Sequence, residues 1–381
     1  MSESPRDRGQ GTPATILSAG ISVLGIVIAA TAIRSALPAH QWWGRIALGG
    51  YVASLMVTLV PKLRRWWAPV TILACGLVPL AVLVVGRSRG WHHVAQSEVD
   101  VLESGAKRLF EHLTPYRDPA EMSRAEATTN YSYFPYLPAM AIPGLPRALV
   151  GRHWFTDARI WTVAFDALML RVGWSRLRPR SHQVLIALIA SPLVTLPATG
   201  GGHDLLVASS LVAGYVGISA GLAAASSFTI LGWPLVMPAL CVGRIDLRRA
   251  AVVGGVVALS CMPLLVDPGA AWANIVDFPG GQTPARSPAD APSLGRLLRA
   301  LPGGNVWVVL LLAAIGVTFV VSLLRYPPRS PAAGAGRAAV AFLALIVAVP
   351  STRAGYLIHP ATLGALAWGE LTGRTDEGLP A

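Results

Sequence analysis

Residues 304–324 read GNVWVVLLLAAIGVTFVVSLL, an apolar run without a charged side chain, closed by Arg325. A helix needs roughly 20 such residues to cross the hydrocarbon core of a bilayer, so this stretch predicts a membrane-spanning helix. The run from about Thr15 to Leu37 is of the same kind. It is too long for a signal-peptide core and no small-residue cleavage pattern follows it, so it is expected to stay as the first membrane helix. Further runs lie near 44–61, 66–86, 134–150, 156–172, 183–198, 204–219, 222–241, 250–266, 338–350 and 356–371. Several are short or interrupted by proline, so about nine to twelve membrane segments are expected, some of them half-helices. The fold class is all-α: a polytopic transmembrane helical bundle, one integral membrane domain over 1–381, multi-pass in a cell membrane.

Composition points the same way. With 53% hydrophobic and only 13% charged residues in 381, the chain carries more apolar surface than a soluble domain of this size usually buries. The net charge of +12 would suit a nucleic-acid binder if it were spread over a surface. Instead the basic residues sit in short clusters between apolar runs, as cytoplasmic anchors do, and no nucleic-acid partner is expected. Cys75, Cys241 and Cys261 have no ligand spacing, so neither a disulfide framework nor a zinc site is expected.

The clusters also orient the chain. Lys62, Arg64 and Arg65, then Arg244, Arg248 and Arg249, then Arg325, Arg329 and Arg337 mark the cytoplasmic side, together with a 1–14 tail carrying Arg6 and Arg8. Three helices then place the 86–133 loop outside. Arg171, Arg176, Arg178 and Arg180 conflict with simple counting, so either the proline-rich 134–150 segment does not cross or the bias fails there. The 222–241 segment is a candidate hairpin of half-helices, because Ser226, Ser227 and Thr229 interrupt it. A second outer loop, 267–303, sets Asp267, Asp277 and Asp290 against Arg286, Arg296 and Arg299 and reads as a flexible cover or acceptor-contacting loop.

Polar chemistry concentrates in the first loop. In SEVDVLESGAKRLFEHLTPY, residues 97–116, Val99, Leu102, Ala106, Leu109, Phe110 and Leu113 recur at helical spacing, opposite Glu103, Lys107 and Glu111. That predicts an amphipathic interfacial helix ended by Pro115. Glu98 and Asp100 at its start are candidates for a general base, or simply favour the helix N-terminus. The return, NYSYFPYLPAMAIPGLP, holds Tyr131, Tyr133, Phe134 and Tyr136 among prolines. These are interfacial aromatics or a surface for a sugar ring or prenyl chain. Asp166, inside an apolar run, must face protein or water and is expected to pair with Arg159 or Arg171. Asp204 beside His203 reads as a helix cap or as an acceptor-orienting pair. It leaves room for a divalent cation without indicating one.

The order of an acid, an amphipathic helix ending in Thr114, Pro115 and Tyr116, and a re-entry through Phe134, Pro135, Tyr136 and Leu137 resembles the GT-C superfold of membrane glycosyltransferases. Within it the closest likeness is to glycosyltransferase family 87, the polyprenyl-phosphate-mannose-dependent mannosyltransferases of actinobacteria. Gly200, Gly201, Gly202, His203 and Asp204 before one helix, and Pro350, Ser351, Thr352, Arg353, Gly355 and Tyr356 before the last, fit it loosely. Tyr136 stands where the family has a second proline, and 226–229 lacks a lysine often present there.

The resemblance implies a polyprenyl-phosphate sugar donor, with mannose or a related pentose the expected sugar, a lipid or glycan acceptor, surrounding membrane lipids and no cofactor. Asp100, with Glu98 second, would take the acceptor proton. Arg353 would stabilise the leaving phosphate, with His359 and Lys107 as further cations. Tyr116, Tyr133, Tyr136, His203, Asp204 and Tyr356 would line the substrate. The alternatives are a transporter or flippase of a lipid-linked substrate, and a catalytically inactive GT-C-like protein.

Overall fold

The computed structural model describes residues 5–243, 246–285 and 291–371, with side chains over 14–369 of that range. Arg244, Arg286 and Asp290, and the side chains of Arg6 and Arg8, lie outside what is described. Among the described residues every regular element is helical. Four helices are long and apolar enough to cross a membrane: Ala14–Ala32, Pro61–Ser88, Gly304–Arg325 and Pro331–Ala348. A fifth span results if Pro179–Ala190 and Pro192–Gly200, bent by 51° at Ser191, cross together. The other expected spans are shorter or less apolar helices. Pro38–Leu59, for instance, carries His40, Gln41 and Arg45 in its first turns.

The chain divides into two compact units, one of Met1–Gln96 with Gln183–Gly202 and one of Ser97–His182 with His203–Ala381. In the first, Pro5–Ala32 and Pro38–Leu59 pack around Ala29, Trp43, Ala47, Tyr51 and Cys75. The Trp43 indole donates to the Cys75 carbonyl (2.9 Å) and the Tyr51 hydroxyl bonds Thr195 (2.9 Å). Each aromatic thereby buries its ring while satisfying its polar atom. In the third helical run a π-turn, Leu73–Leu77, precedes Pro79. Proline cannot donate to the carbonyl four residues back, and the widened turn absorbs that defect.

In the second unit the helix Asp204–Tyr215 is central, with every residue from Leu205 to Tyr215 buried. Around it lie Ala158–Trp174, Ser219–Phe228, Pro331–Ala348 and Ile358–Leu371. The 222–241 segment breaks into Ser219–Phe228 and Gly232–Leu240 at Thr229. The 134–150 segment does not form a span. Its prolines give a 3-10 turn, Pro138–Gly144, and a six-residue helix, Leu145–Val150, about 9 Å long at 1.5 Å per residue. Pro331–Ala348 starts seven residues before the apolar run near 338, because Ser330 caps it (Ala333 N–H to Oγ, 3.2 Å) and Pro331 suits the first helical position.

Polar contacts gather at opposite ends of this unit. Gly243 N–H bonds the Pro328 carbonyl (2.8 Å) and Arg249 bonds the Gly214 carbonyl (2.8 Å). One end therefore holds the Arg325–Ser330 turn, the start of Leu247–Ser260 and the C-terminus of Asp204–Tyr215. Asp204 lies about 18 Å away along its own helix. Pro331–Ala348 likewise carries the chain about 27 Å from the basic turn to the 350–357 connection.

Two charged positions differ from the sequence reading. Asp166 accepts from Ser209 (2.7 Å) rather than pairing with an arginine, and Arg159 is held by Asp157 (2.8 Å). Glu103, expected on a solvated face, is buried. It binds Arg147 (3.1 Å) and the Ala158 N–H (3.2 Å), because the 134–150 return folds over that face of the helix.

Candidate active site

The amphipathic helix forms over Ser97–His112, and Val99, Leu102 and Ala106 bury its inner face. Phe110 and Leu113 remain exposed, and Leu113, with φ 60°, ends the helix two residues before Pro115. Glu98 in its first turn, Asp204 at the start of Asp204–Tyr215, and Arg353 in an extended segment before the 3-10 turn Ala354–Leu357 meet at one point. Arg353 Nη1 donates to Glu98 Oε1, and Nη2 donates to Asp204 Oδ2 at 2.9 Å.

The partners lie 255 and 149 residues from Arg353 in the sequence, so only tertiary packing joins them. The 350–353 strand of chain is tied down by the Ser351 hydroxyl on the Pro279 carbonyl (2.9 Å) and Ala291 N–H on the Thr352 carbonyl (2.9 Å). A Cβ on Gly355 would stand 3.2 Å from Asp204 Oδ2, so the small residue lets the turn close over the carboxylate.

Around this ion triad is a cavity of about 590 Å³. One pole is formed by Glu98, Asp204, Arg353, Tyr136 and Tyr356. The flank is apolar and comes from Val308 and Leu312 of Gly304–Arg325 and from Phe342 and Leu345 of Pro331–Ala348. Arg353 lies over the Tyr356 ring, 5.2 Å from its centroid. Burial would weaken the Arg353 guanidinium's hold on its proton. Asp204, Tyr136 and Glu98 reverse that, and its pKa stands well above the usual arginine value. Burial raises the Tyr136 phenol, with Arg353 acting the other way.

The base candidates separate by helix phase. Glu98 lines the cavity, and among the described residues its Oε2 has one hydrogen-bond partner, the Ser97 hydroxyl at 3.4 Å. Asp100, about 200° further round the helix, is exposed and does not line it. Asp204 is not a cap: the N-cap is His203, without a side-chain cap bond, and the Asp204 carboxylate serves Arg353 and His359 Nε2 (3.6 Å). His359 and His203 are buried behind the cavity wall. Burial pushes the His203 imidazole down to about 4, and Nδ1 faces the Thr162 hydroxyl at 3.4 Å.

Tyr133 lines the cavity, stacked on Phe278 with centroids 4.7 Å apart. Tyr116 is buried outside it and its hydroxyl donates to the Tyr136 carbonyl (2.9 Å), a supporting contact. Lys107 is exposed and pairs with Glu111 at 3.8 Å, away from the cavity. Among the described residues no three His, Cys, Asp or Glu side chains gather as a metal site.

The sequence reading missed Asn274. Fully buried, it accepts from Phe134 N–H (2.8 Å) and donates to the Arg117 (2.9 Å) and Ala270 (2.8 Å) carbonyls, joining the two loops beside the cavity. A lone asparagine in an apolar helical stretch was the one available signal. The chain matches no family model, no curated protein and no solved structure.

Proposed function

We propose that the protein is a membrane glycosyltransferase that moves a sugar, mannose by the resemblance, from a polyprenyl phosphate to an acceptor hydroxyl on the extracytoplasmic side. The observation that carries this reading is the two-faced cavity. A carboxylate with one lightly held oxygen, Glu98, stands at a polar pole, and the flank is built from two helices of its unit that are long and apolar enough to cross a membrane. An amphiphile with a long apolar tail and a polar reacting head fits such a site. The positive-inside rule supports the outward orientation, since the pole lies at the helix ends away from Arg249, Arg325 and Arg329. With 134–150 not crossing, the arginines at 171–180 also fall on the cytoplasmic side.

In this mechanism Glu98 takes the proton of the acceptor hydroxyl. The acceptor oxygen forms the new bond to the anomeric carbon, and the bond to the phosphate oxygen breaks with its electron pair leaving on the polyprenyl phosphate. Arg353 and Asp204 hold Glu98 in place, and Tyr136 and Tyr356 offer faces for the sugar ring.

The test is transfer of sugar from a panel of polyprenyl-phosphate donors by protein in nanodiscs. Glu98→Gln is expected to lose at least about 100-fold in rate, the scale of general-base catalysis, and Asp100→Asn to stay within a few-fold. Net movement of an intact lipid-linked substrate across vesicles, with no new glycosidic bond, would replace this reading with the transporter. A Glu98→Gln protein of full activity would sink the base assignment.

A further inference from the structure

The resemblance gives the leaving phosphate to Arg353, and the charge balance of the cavity argues against that assignment. Arg353 is shared by two carboxylates, so the inner pole carries more negative than positive charge and repels a phosphate. A second guanidinium lines the same cavity. Arg299 ends the helix Leu294–Arg299 and, among the described residues, makes a single long hydrogen bond, from Nη2 to the Gly281 carbonyl at 3.5 Å. No carboxylate of the described residues stands within ion-pair distance of it, and Gln282, Asn305 and Asn130, which line the same cavity, are neutral and can donate.

The helix that carries Arg299 is held firmly. Gly295 abuts the Ala348 carbonyl so closely that a Cβ would stand 1.9 Å from the oxygen, and the Ser293 hydroxyl donates to the Val349 carbonyl (2.7 Å). Val308 and Leu312 begin the apolar flank on the helix that follows. A bound amphiphile can therefore place its anionic group at Arg299 and its tail along that flank.

We propose that Arg299 binds the phosphate of a prenyl phosphate at a second pole of the cavity, while Arg353 positions the carboxylates of the first. This rests on the glycosyltransferase reading for its biological donor, but not for the binding itself.

The experiment uses the full chain in phosphatidylcholine nanodiscs, with farnesyl phosphate and farnesol as probes. Wild type is expected to prefer farnesyl phosphate. Arg299→Gln should weaken that binding by about tenfold or more, as loss of a charged hydrogen bond does, leave farnesol binding unchanged and keep the melting temperature. Arg299→Lys should recover part of the affinity. Equal affinity of Arg299→Gln and wild type for farnesyl phosphate overturns the proposal, as does wild type failing to prefer the phosphate. Displacement of the probe by phosphatidylglycerol as readily as by unlabelled farnesyl phosphate also overturns it, leaving Arg299 a headgroup anchor. If Arg299→Gln transfers sugar with an unchanged donor KM, this proposal fails and the glycosyltransferase stands. If its phosphate binding is lost while wild type transfers from no donor, the reverse holds.

Discussion

Arg353 holds two carboxylates, Glu98 and Asp204, that would otherwise face one another without a cation between them. Removing one member of a largely buried ion group leaves uncompensated charge, and with the side chain 22% exposed the cost falls at the lower end of the usual range. Arg353→Gln is expected to destabilise the protein by about 3 kcal/mol, read from thermal unfolding in detergent. Adding Asp204→Asn should recover part of that loss, because the second change removes the charge left unpaired; strictly additive losses would contradict the shared network.

His203 supplies a pH signature. Its folded value of about 4 lies below the ordinary 6.5, so the unfolded chain binds the proton more readily. The resulting stability is complete above about 6.5 and is lost as pH falls toward 4. Melting temperatures should drop over that window and His203→Gln should flatten the drop. An unchanged slope in the variant would assign the dependence to another group.

Helix contacts make their own demands. Gly295 is where Leu294–Arg299 crosses the end of Pro331–Ala348, and Gly295→Val must push the two apart. Overpacking of this kind costs about 1–3 kcal/mol, and because Arg299 rides on the displaced helix, prenyl-phosphate affinity should fall with stability. The Ser97–His112 helix was legible from its apolar spacing, since that pattern depends only on neighbours within a turn or two. Residues 134–150 were legible only as an open choice between a span and a non-crossing segment, because an apolar composition sums to a span whether or not its prolines permit one. Pro138 and Pro143 withhold backbone donors, and the chain turns back over Glu103 instead.

Across the second unit, the connectivity of the long helices predicts sidedness. With Cys75, Cys241 and Cys261 replaced by serine or alanine, single cysteines at Arg152 and Ser351 should react with a membrane-impermeant maleimide from outside intact cells. One at Pro328 should react only after permeabilisation. Labelling of 152 and 328 from the same side would break the assignment of 134–150 as a non-crossing return.

Hydropathy and basic clusters, both sums over local sequence, were enough to indicate a helical fold, seen throughout the regular elements of the described residues, with several helices able to span a membrane, since lipid demands internal hydrogen bonding and apolar length of any segment that enters it. They could not choose between Glu98 and Asp100. Both sit in the first turn of one helix, and which of them faces a cavity depends on the rotation of that helix about its axis. That rotation is set by Val99, Leu102 and Ala106 packing inward and by Arg353, 255 residues away, closing on Glu98. The acid was visible in the sequence; its partner and its phase came from contacts between segments that no local pattern relates.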